Sequence, residues 1–401
     1  MPRSTPVPLP TRGRHDGLIL TLLRSGEPLS RSAISETTGL SPTTVTKAVA
    51  PLISKGYIEE SSAETESRIG RPAIGLRLVP EAVEVCGVQI DVGTARAGLV
   101  DAVGRTHDVR TWTFDPSAPA ETVMKQLAER VREELLPLAA SELIGIGIGA
   151  AGAVDTTNRV NLMSVNLGWS DVSMATTSEE ICGLPTVVEH NVRAMALAEN
   201  RFGHGARSIA FVHVKTGVGL GLVLHDEPFL CGEHGVSELG HIQVVPDGEL
   251  CACGARGCLE TIVAEPALRR KLSQLGVDDA DELLKALENA ATTEKDAADL
   301  RDSVLRHLST GLAAVANLLN PTMIVLGGLL AEAPEPFLHD LTERTRERAF
   351  PLLRDSLLLN RTSFASPGIV GAAASALETF FYGPPPSEPA AGRGRTAPRL
   401  G

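Results

Sequence analysis

Residues 238–260 read Glu238-Leu239-Gly240-His241, nine intervening residues, then Cys251-Ala252-Cys253-Gly254-Ala255-Arg256-Gly257-Cys258-Leu259-Glu260. Three thiols and one imidazole fall within eighteen residues. Borderline-soft zinc takes four such ligands tetrahedrally, and the interspersed glycines permit the tight turns that gather them. Buried thiols and a core histidine would be the plainer account, which the Cys-x-Cys-x4-Cys spacing disfavours. His241, Cys251, Cys253 and Cys258 are therefore expected to hold a structural Zn2+ with no open coordination position. Glu238 and Glu260 bracket the cluster, and they point to a polar pocket that the metal keeps in shape rather than to solvated surface charge.

The chain has 401 residues, 43% hydrophobic and 21% charged, enough for two or three domains with ordinary cores. No apolar run approaches the roughly 18 residues of a membrane span, and the N-terminus lacks the apolar core of a signal peptide. Cytoplasm is the expected compartment, where thiols favour metal over disulfide. Cys86, Cys182 and Cys231 read as small buried hydrophobes. Residues 1–80 carry ten Lys/Arg against seven Asp/Glu, while the remainder carries 27 against 42. A mildly basic head on an acidic body suits nucleic-acid contact by the head only.

Residues 1–13 show no periodicity and are expected to be disordered. Residues 14–80 read as a small helical domain. A first helix is predicted over Asp16–Arg24, then a second over Ser32–Thr38 capped by Ser30 and closed at Gly39. Ser41-Pro42 opens a third that runs to about Lys55, with Val45, Val49, Leu52 and Ile53 inward. Two short helices around a tight turn form a helix-turn-helix, whose second helix enters the major groove. Ser41, Thr43, Thr44, Thr46 and Lys47 are the candidate DNA contacts on that helix. A returning strand at Ile74–Val79 makes a wing with Arg68 and Arg71 near its tip, suited to a narrow minor groove. The competing reading is a helical module used for dimerisation.

From residue 83, strand and helix patterns alternate. Strands are expected at 83–90, 97–100, 106–114, 143–149, 187–189, 209–214, 219–224, 323–328 and 356–360, and helices at 119–139, 192–202, 264–319 and 370–381. Two Gly-punctuated hairpin units, each followed by helices, indicate a duplicated α/β fold with a ligand cleft between halves. The body is placed at 81–382, with the zinc loop at 241–258. The tail 383–401, with three consecutive prolines, is expected to be disordered.

Five features now support a resemblance. They are Asp91-Val92-Gly93, Gly145-x-Gly147-x-Gly149, Glu238-x-Gly240-His241, Cys251-x-Cys253-Gly254-x2-Gly257-Cys258-Leu259-Glu260, and Ile324-Val325-Leu326-Gly327-Gly328. Together they resemble the ROK family of repressors, open reading frames and sugar kinases. The winged head, including Gly70-Arg71-Pro72-Ala73, resembles that of its transcriptional repressors. The resemblance implies an actin-like, hexokinase-type duplicated ATPase fold. It also implies that Asn166, Glu238, His241 and Glu260 hydrogen-bond sugar hydroxyls.

Kinases of this family carry Asn-Asp at the start of the helix after the second-half strand, the Asp acting as general base. Counting back from Glu199, the pair here is His190-Asn191. An amide accepts no proton at neutral pH, and base catalysis is typically worth roughly 10²–10⁴-fold. Asn191 can still bond a hydroxyl, and His190 is expected to alter which sugar fits. The kinase phosphate loop Asp-x-Gly-Gly-Thr is also changed, with Thr94 and Ala95 in its last positions. A second loop, Gly-Thr-Gly in kinases, reads Lys215-Thr216-Gly217. Asp91 is either a phosphate or metal contact or a turn residue, and Lys215 fits either reading. Trp169 reads as a core or lid aromatic.

The expected function is a sugar-responsive transcriptional regulator, a repressor of carbohydrate uptake or catabolism genes, without kinase activity. Its expected partners are operator DNA, a sugar or sugar phosphate, and copies of itself in a homodimer or homotetramer. The alternatives are an active ATP-dependent sugar kinase with an added DNA-binding head, and a regulator governed by a phosphotransferase-system protein.

Overall fold

The computed structural model describes residues 15–62, 74–232, 235–278 and 281–383. The expected disordered segments at 1–13 and beyond 383, and the wing residues Arg68 and Arg71, lie outside the described residues. The described chain forms two compact units. One is a body, Pro80–Ala376, and the other a head made of residues 15–79 together with 377–383.

In the head, α1 (Asp16–Leu23) buries Ile19, Leu20 and Leu23 at the spacing of one helical face. After the two-residue strand β1 (Leu29–Ser30), Ser30 caps α2 (Arg31–Thr38) by accepting the Ala33 N–H at 3.1 Å. Ser41 caps α3 (Pro42–Ser54) in the same way, accepting the Thr44 N–H at 3.1 Å, with proline at the first helical position, where no N–H is needed. Val45, Val49 and Leu52 face inward, while Ile53 is only half-buried. Strands β2 (Ile58–Ser62) and β3 (Ile74–Leu78) pair antiparallel, with Ile58 opposite Leu78, and β1 joins the other edge of β3.

Three aromatics from the far end of the chain complete the head. Phe380, Phe381 and Tyr382, in a single π-helical turn, are buried there. The Phe381 ring meets Tyr57 edge-to-face at 5.4 Å. Arg24 pairs with Glu378 at 2.8 Å and lies over the Tyr382 ring. Residues 377–383 thus group with the head, where these side chains find their apolar partners.

The body begins with β4 (Val83–Asp91), β5 (Thr94–Asp101), β6 (Thr106–Thr113), α4 (Ala120–Arg130) and β7 (Glu142–Ala150). A small sheet follows, β8 (Ala153–Asp155), β9 (Val160–Ser164) and β10 (Trp169–Val172), then α5 (Met174–Cys182), β11 (Thr186–His190) and α6 (Asn191–Arg201). The second half has β12 (Ile209–Val214), β13 (Val218–Leu224), β14 (Glu227–Pro228), α7 (Glu260–Val263), α8 (Glu265–Gln274), α9 (Leu283–Ala291), α10 (Lys295–Leu319), β15 (Met323–Gly328), α11 (Glu335–Arg348), β16 (Leu359–Arg361) and α12 (Pro367–Leu377).

The two large sheets repeat one plan. The first runs β11-β7-β4-β5-β6 and the second β16-β15-β12-β13-β14. In each, an antiparallel meander is extended by two parallel strands, which need crossovers. This is the expected duplicated, hexokinase-type α/β body. The β8–β10 sheet and α5 were not foreseen, because the strands are only three to five residues long and α5 carries a Thr-Thr-Ser run with little apolar periodicity. α12 lies directly on the first sheet: a Cβ at Gly147 would stand 1.8 Å from the Ala372 carbonyl oxygen, so only glycine permits that approach. Val370 and Ala374 of the same helix share a core with α6, Ile209, Phe211 and Val325 of the second sheet. The ends of β4, β11 and β12, at Asp91, His190 and the following Lys215, thus converge on one crevice, where open α/β sheets bind ligands.

Candidate functional site

A cavity of about 580 Å³ opens in the body, lined from both large sheets. All six expected sugar-binding residues line it: Asn166, His190, Asn191, Glu238, His241 and Glu260. Asn166 sits in the turn between β9 and β10. His190 is the last residue of β11 and Asn191 the first of α6. Glu238 and His241 flank a 3-10 turn, and Glu260 begins α7. The Lys215–Gly217 turn between β12 and β13 comes close to these groups. A Cβ at Gly217 would lie 2.8 Å from Glu260 Oε2 and 3.1 Å from Asn166 Nδ2, so glycine here keeps the two side chains together.

His190 is 7% exposed, and its Nδ1 accepts the Arg193 N–H at 3.4 Å. Burial, reinforced by the nearby Arg193 charge, pushes its pKa down to about 3. The imidazole is therefore neutral, with Nε2 left as the protonated donor. The side-chain oxygen of Asn191 accepts the Val192 N–H at 2.8 Å, which leaves its NH2 as the available donor.

Arg193 was missed by sequence reasoning. It is buried, donates to Glu189 and to the Gly235 carbonyl, and so ties the first turn of α6 to the segment that delivers Val236 and Glu238. Burial raises the Glu189 carboxyl, and Arg193 opposes that rise. Its position one turn beyond Glu189 was the available signal.

Asp91, which admitted two readings, is engaged by the protein itself. Its Oδ2 accepts from Lys215 Nζ at 3.0 Å and from Gln89 Nε2 at 3.0 Å. His213, two residues before Lys215, also lines the cavity and was not anticipated. Both its ring nitrogens are buried without a hydrogen-bond partner among the described residues. Burial lowers its pKa to about 4; Asp91 opposes the shift and Lys215 adds to it. Trp169 is a core residue packed near Phe114.

The four expected metal ligands gather together, and His241 among them lines this cavity. The donor atoms of His241, Cys251, Cys253 and Cys258 all lie within 4.8 Å of one another. Cys253 and Cys258 sulfurs are 3.8 Å apart, and Cys251 Sγ is 3.5 Å from His241 Nδ1. A tetrahedral site with metal–sulfur bonds of roughly 2.3 Å has edges of roughly 3.8 Å, so the set fits a metal ion. Glu260 and Glu238 approach opposite nitrogens of the His241 ring, each at 3.9 Å. On the head, Ser41, Thr43, Thr46 and Lys47 are exposed and Thr44 half-buried. The Ser41, Thr44 and Thr46 hydroxyls already bond within their own helix, while Thr43 and Lys47 extend from the same face.

A pH dependence follows from the buried histidines. The folded pKa of His190 lies below its unfolded value near 6.5. Its contribution is complete above pH 6.5 and is lost as pH falls toward 3. At pH 5 that loss is about 2 kcal/mol for His190, and His213 acts in the same direction. Urea unfolding of wild type and His190→Gln at pH 7 and pH 5 measures it. The variant is expected to lose less stability over that interval; equal losses would assign the acid sensitivity elsewhere.

The chain matches the ROK family over residues 85–379 and a winged helix-turn-helix DNA-binding family over residues 13–59. It is 28% identical to the DNA-binding transcriptional dual regulator NagC of Escherichia coli K12, covering 89% of this chain and 90% of that protein. A glucokinase of Halalkalibacterium halodurans is 35% identical over 54% of this chain and 70% of its own length. Among solved structures, a ROK family transcriptional regulator homologous to the E. coli Mlc protein superposes with a TM-score of 0.77. It is 26% identical, with 90% of this chain and 94% of that one covered. No helix among the described residues is long and apolar enough to cross a membrane.

Proposed function

The chain belongs to the ROK family, and on that premise we propose that it is a sugar-responsive DNA-binding transcriptional regulator, a repressor of carbohydrate genes. The observation that carries this reading is one cavity lined by six side chains able to hydrogen-bond hydroxyls, in a chain that also matches a winged helix-turn-helix family. Carboxylates, amides and a neutral imidazole supply the directional donors and acceptors that vicinal hydroxyls require. His241, Cys251, Cys253 and Cys258 would hold Zn2+, whose role with four protein ligands is structural. The short Cys251–Nδ1 approach supports His241 Nδ1 as the metal-facing atom, so that Nε2, beside Glu238, would face a sugar hydroxyl.

Phosphoryl transfer has no base in this reading. Asn191 occupies the position of the kinase aspartate, and its oxygen is turned onto its own helix. Thr43 and Lys47 of α3 would reach base edges or phosphates, and a symmetric oligomer would read paired half-sites. Effector binding would shift the body between two states by its differential affinity for them, and so change operator affinity.

The test uses DNA selected from a random pool by the full chain, with fluorescence anisotropy against a panel of hexoses, pentoses and amino sugars. One sugar is expected to weaken DNA binding at least roughly tenfold, about 1.4 kcal/mol of coupling, with no ATP-dependent turnover of that sugar. Clear turnover would favour the kinase that the glucokinase relative suggests. Indifference to every sugar, with release by a protein partner, would favour control by that partner.

A further inference from the structure

We infer that the effector is an uncharged, unphosphorylated saccharide and that the cavity rejects its phosphate ester. This deepens the sugar-sensing reading above and rests on it. Three carboxylates line the cavity: Asp91, Glu238 and Glu260. Among the described lining residues, Lys215 is the one lysine or arginine, and its ammonium is committed to Asp91 at 3.0 Å. That pair joins the ends of β4 and β12 and cancels the charge a phosphate would need.

The neighbouring cationic candidate is not among the described lining residues, although its Nε has no hydrogen-bond partner among the described residues. The Arg193 guanidinium is buried against Glu189 and the Gly235 carbonyl. His190 and His213 are neutral at pH 7, so neither brings positive charge. In the Lys215–Gly217 turn, the Lys215 N–H is spent on the Gly217 carbonyl at 2.9 Å. Phosphate sites are built from free guanidinium forks or clustered, unspent N–H groups. Away from its polar groups, the lining is Val92, Leu162, Met163, Val165 and Val236, none of which offers a side-chain donor. A phosphate dianion here would face net negative charge at reduced dielectric, where repulsion is strong. A neutral sugar meets hydrogen-bonding groups at no such penalty.

Isothermal titration of the full chain tests this with matched pairs. These are glucose and glucose 6-phosphate, N-acetylglucosamine and its 6-phosphate, N-acetylmannosamine and its 6-phosphate, and xylose and xylose 5-phosphate. At least one neutral sugar is expected to bind at least about tenfold more tightly than its ester. The gap should widen at low ionic strength, where repulsion is least screened. Asp91→Asn removes one carboxylate and frees Lys215, and should narrow the gap by about fivefold or more. The salt dependence of the wild type carries the test if that variant does not fold. An ester that binds as tightly as its neutral sugar, or more tightly, overturns the inference and leaves the sugar-sensing reading standing. If neither member of any pair binds, the sugar-sensing reading itself falls, and the inference with it.

Discussion

Cys258→Ser is expected to release the bound metal and reduce affinity for the sugar effector on the order of 100-fold, while DNA binding persists and no longer responds to sugar. Cys258 is fully buried, 3.8 Å from Cys253, and its neighbour Leu259 enters the core of the second half. The loop between His241 and Cys258 is held by a few backbone bonds, such as Val244 to Gly257 at 2.8 Å and Cys251 to Ala255 at 2.8 Å. Complete Cys/His sets contribute roughly 10–16 kcal/mol of apparent binding energy in zinc-finger peptides, so one lost ligand leaves the loop without its main constraint. Glu238, His241 and Glu260 then lose their aim. Two to three hydrogen bonds at about 1 kcal/mol each correspond to the stated loss. Elemental analysis should give one zinc per wild-type chain and none in the variant. Calorimetric titration with the effector reads the affinity. A variant that keeps effector affinity without metal would show that the cluster does not support the pocket.

Phe381→Ala is expected to act in the opposite way, abolishing DNA binding while leaving sugar binding intact. The ring is fully buried, packed edge-to-face on Tyr57 and 5.0 Å from Tyr382. Truncating a buried phenylalanine costs about 3–5 kcal/mol. At roughly 0.05–0.15 kcal/mol per residue, that is a large part of the stability of a unit as small as the head. Ending the chain after Leu377 should do the same, since it also removes Glu378 from Arg24. Scanning calorimetry should show the head transition lowered or absent and the body transition unchanged. A Phe381→Ala protein that retains full DNA affinity would show that the head folds without its C-terminal piece.

Much of the site was legible because it is locally written. Four candidate metal ligands spread over eighteen residues are brought together by the turns between them. Caps such as Ser30 and Ser41 announced their helices one residue ahead. Periodicity placed most strands of the two large sheets within a residue or two, but β5 and β16 each begin three residues from the expected start and β14 was not foreseen. Glu238, His241 and Glu260 lie beside the metal ligands in the chain, so finding the cluster located half the pocket.

What remained hidden depends on long separations. Lys215 and Asp91 are 124 positions apart, and Arg24 and Glu378 are 354 apart. No local pattern encodes which carboxylate an ammonium will meet. His213 looked like one more residue of a buried strand, and Arg193 like one more polar residue of a helix. The amino-acid sequence by itself determined most of the elements and the Cys/His loop, because each is set by residue type and short spacing. Only the tertiary structure decided that the one lysine or arginine among the described cavity-lining residues is already paired, and that Phe380, Phe381 and Tyr382 belong to the DNA-binding head. Both depend on surfaces that exist only once the two sheets and the head core have packed.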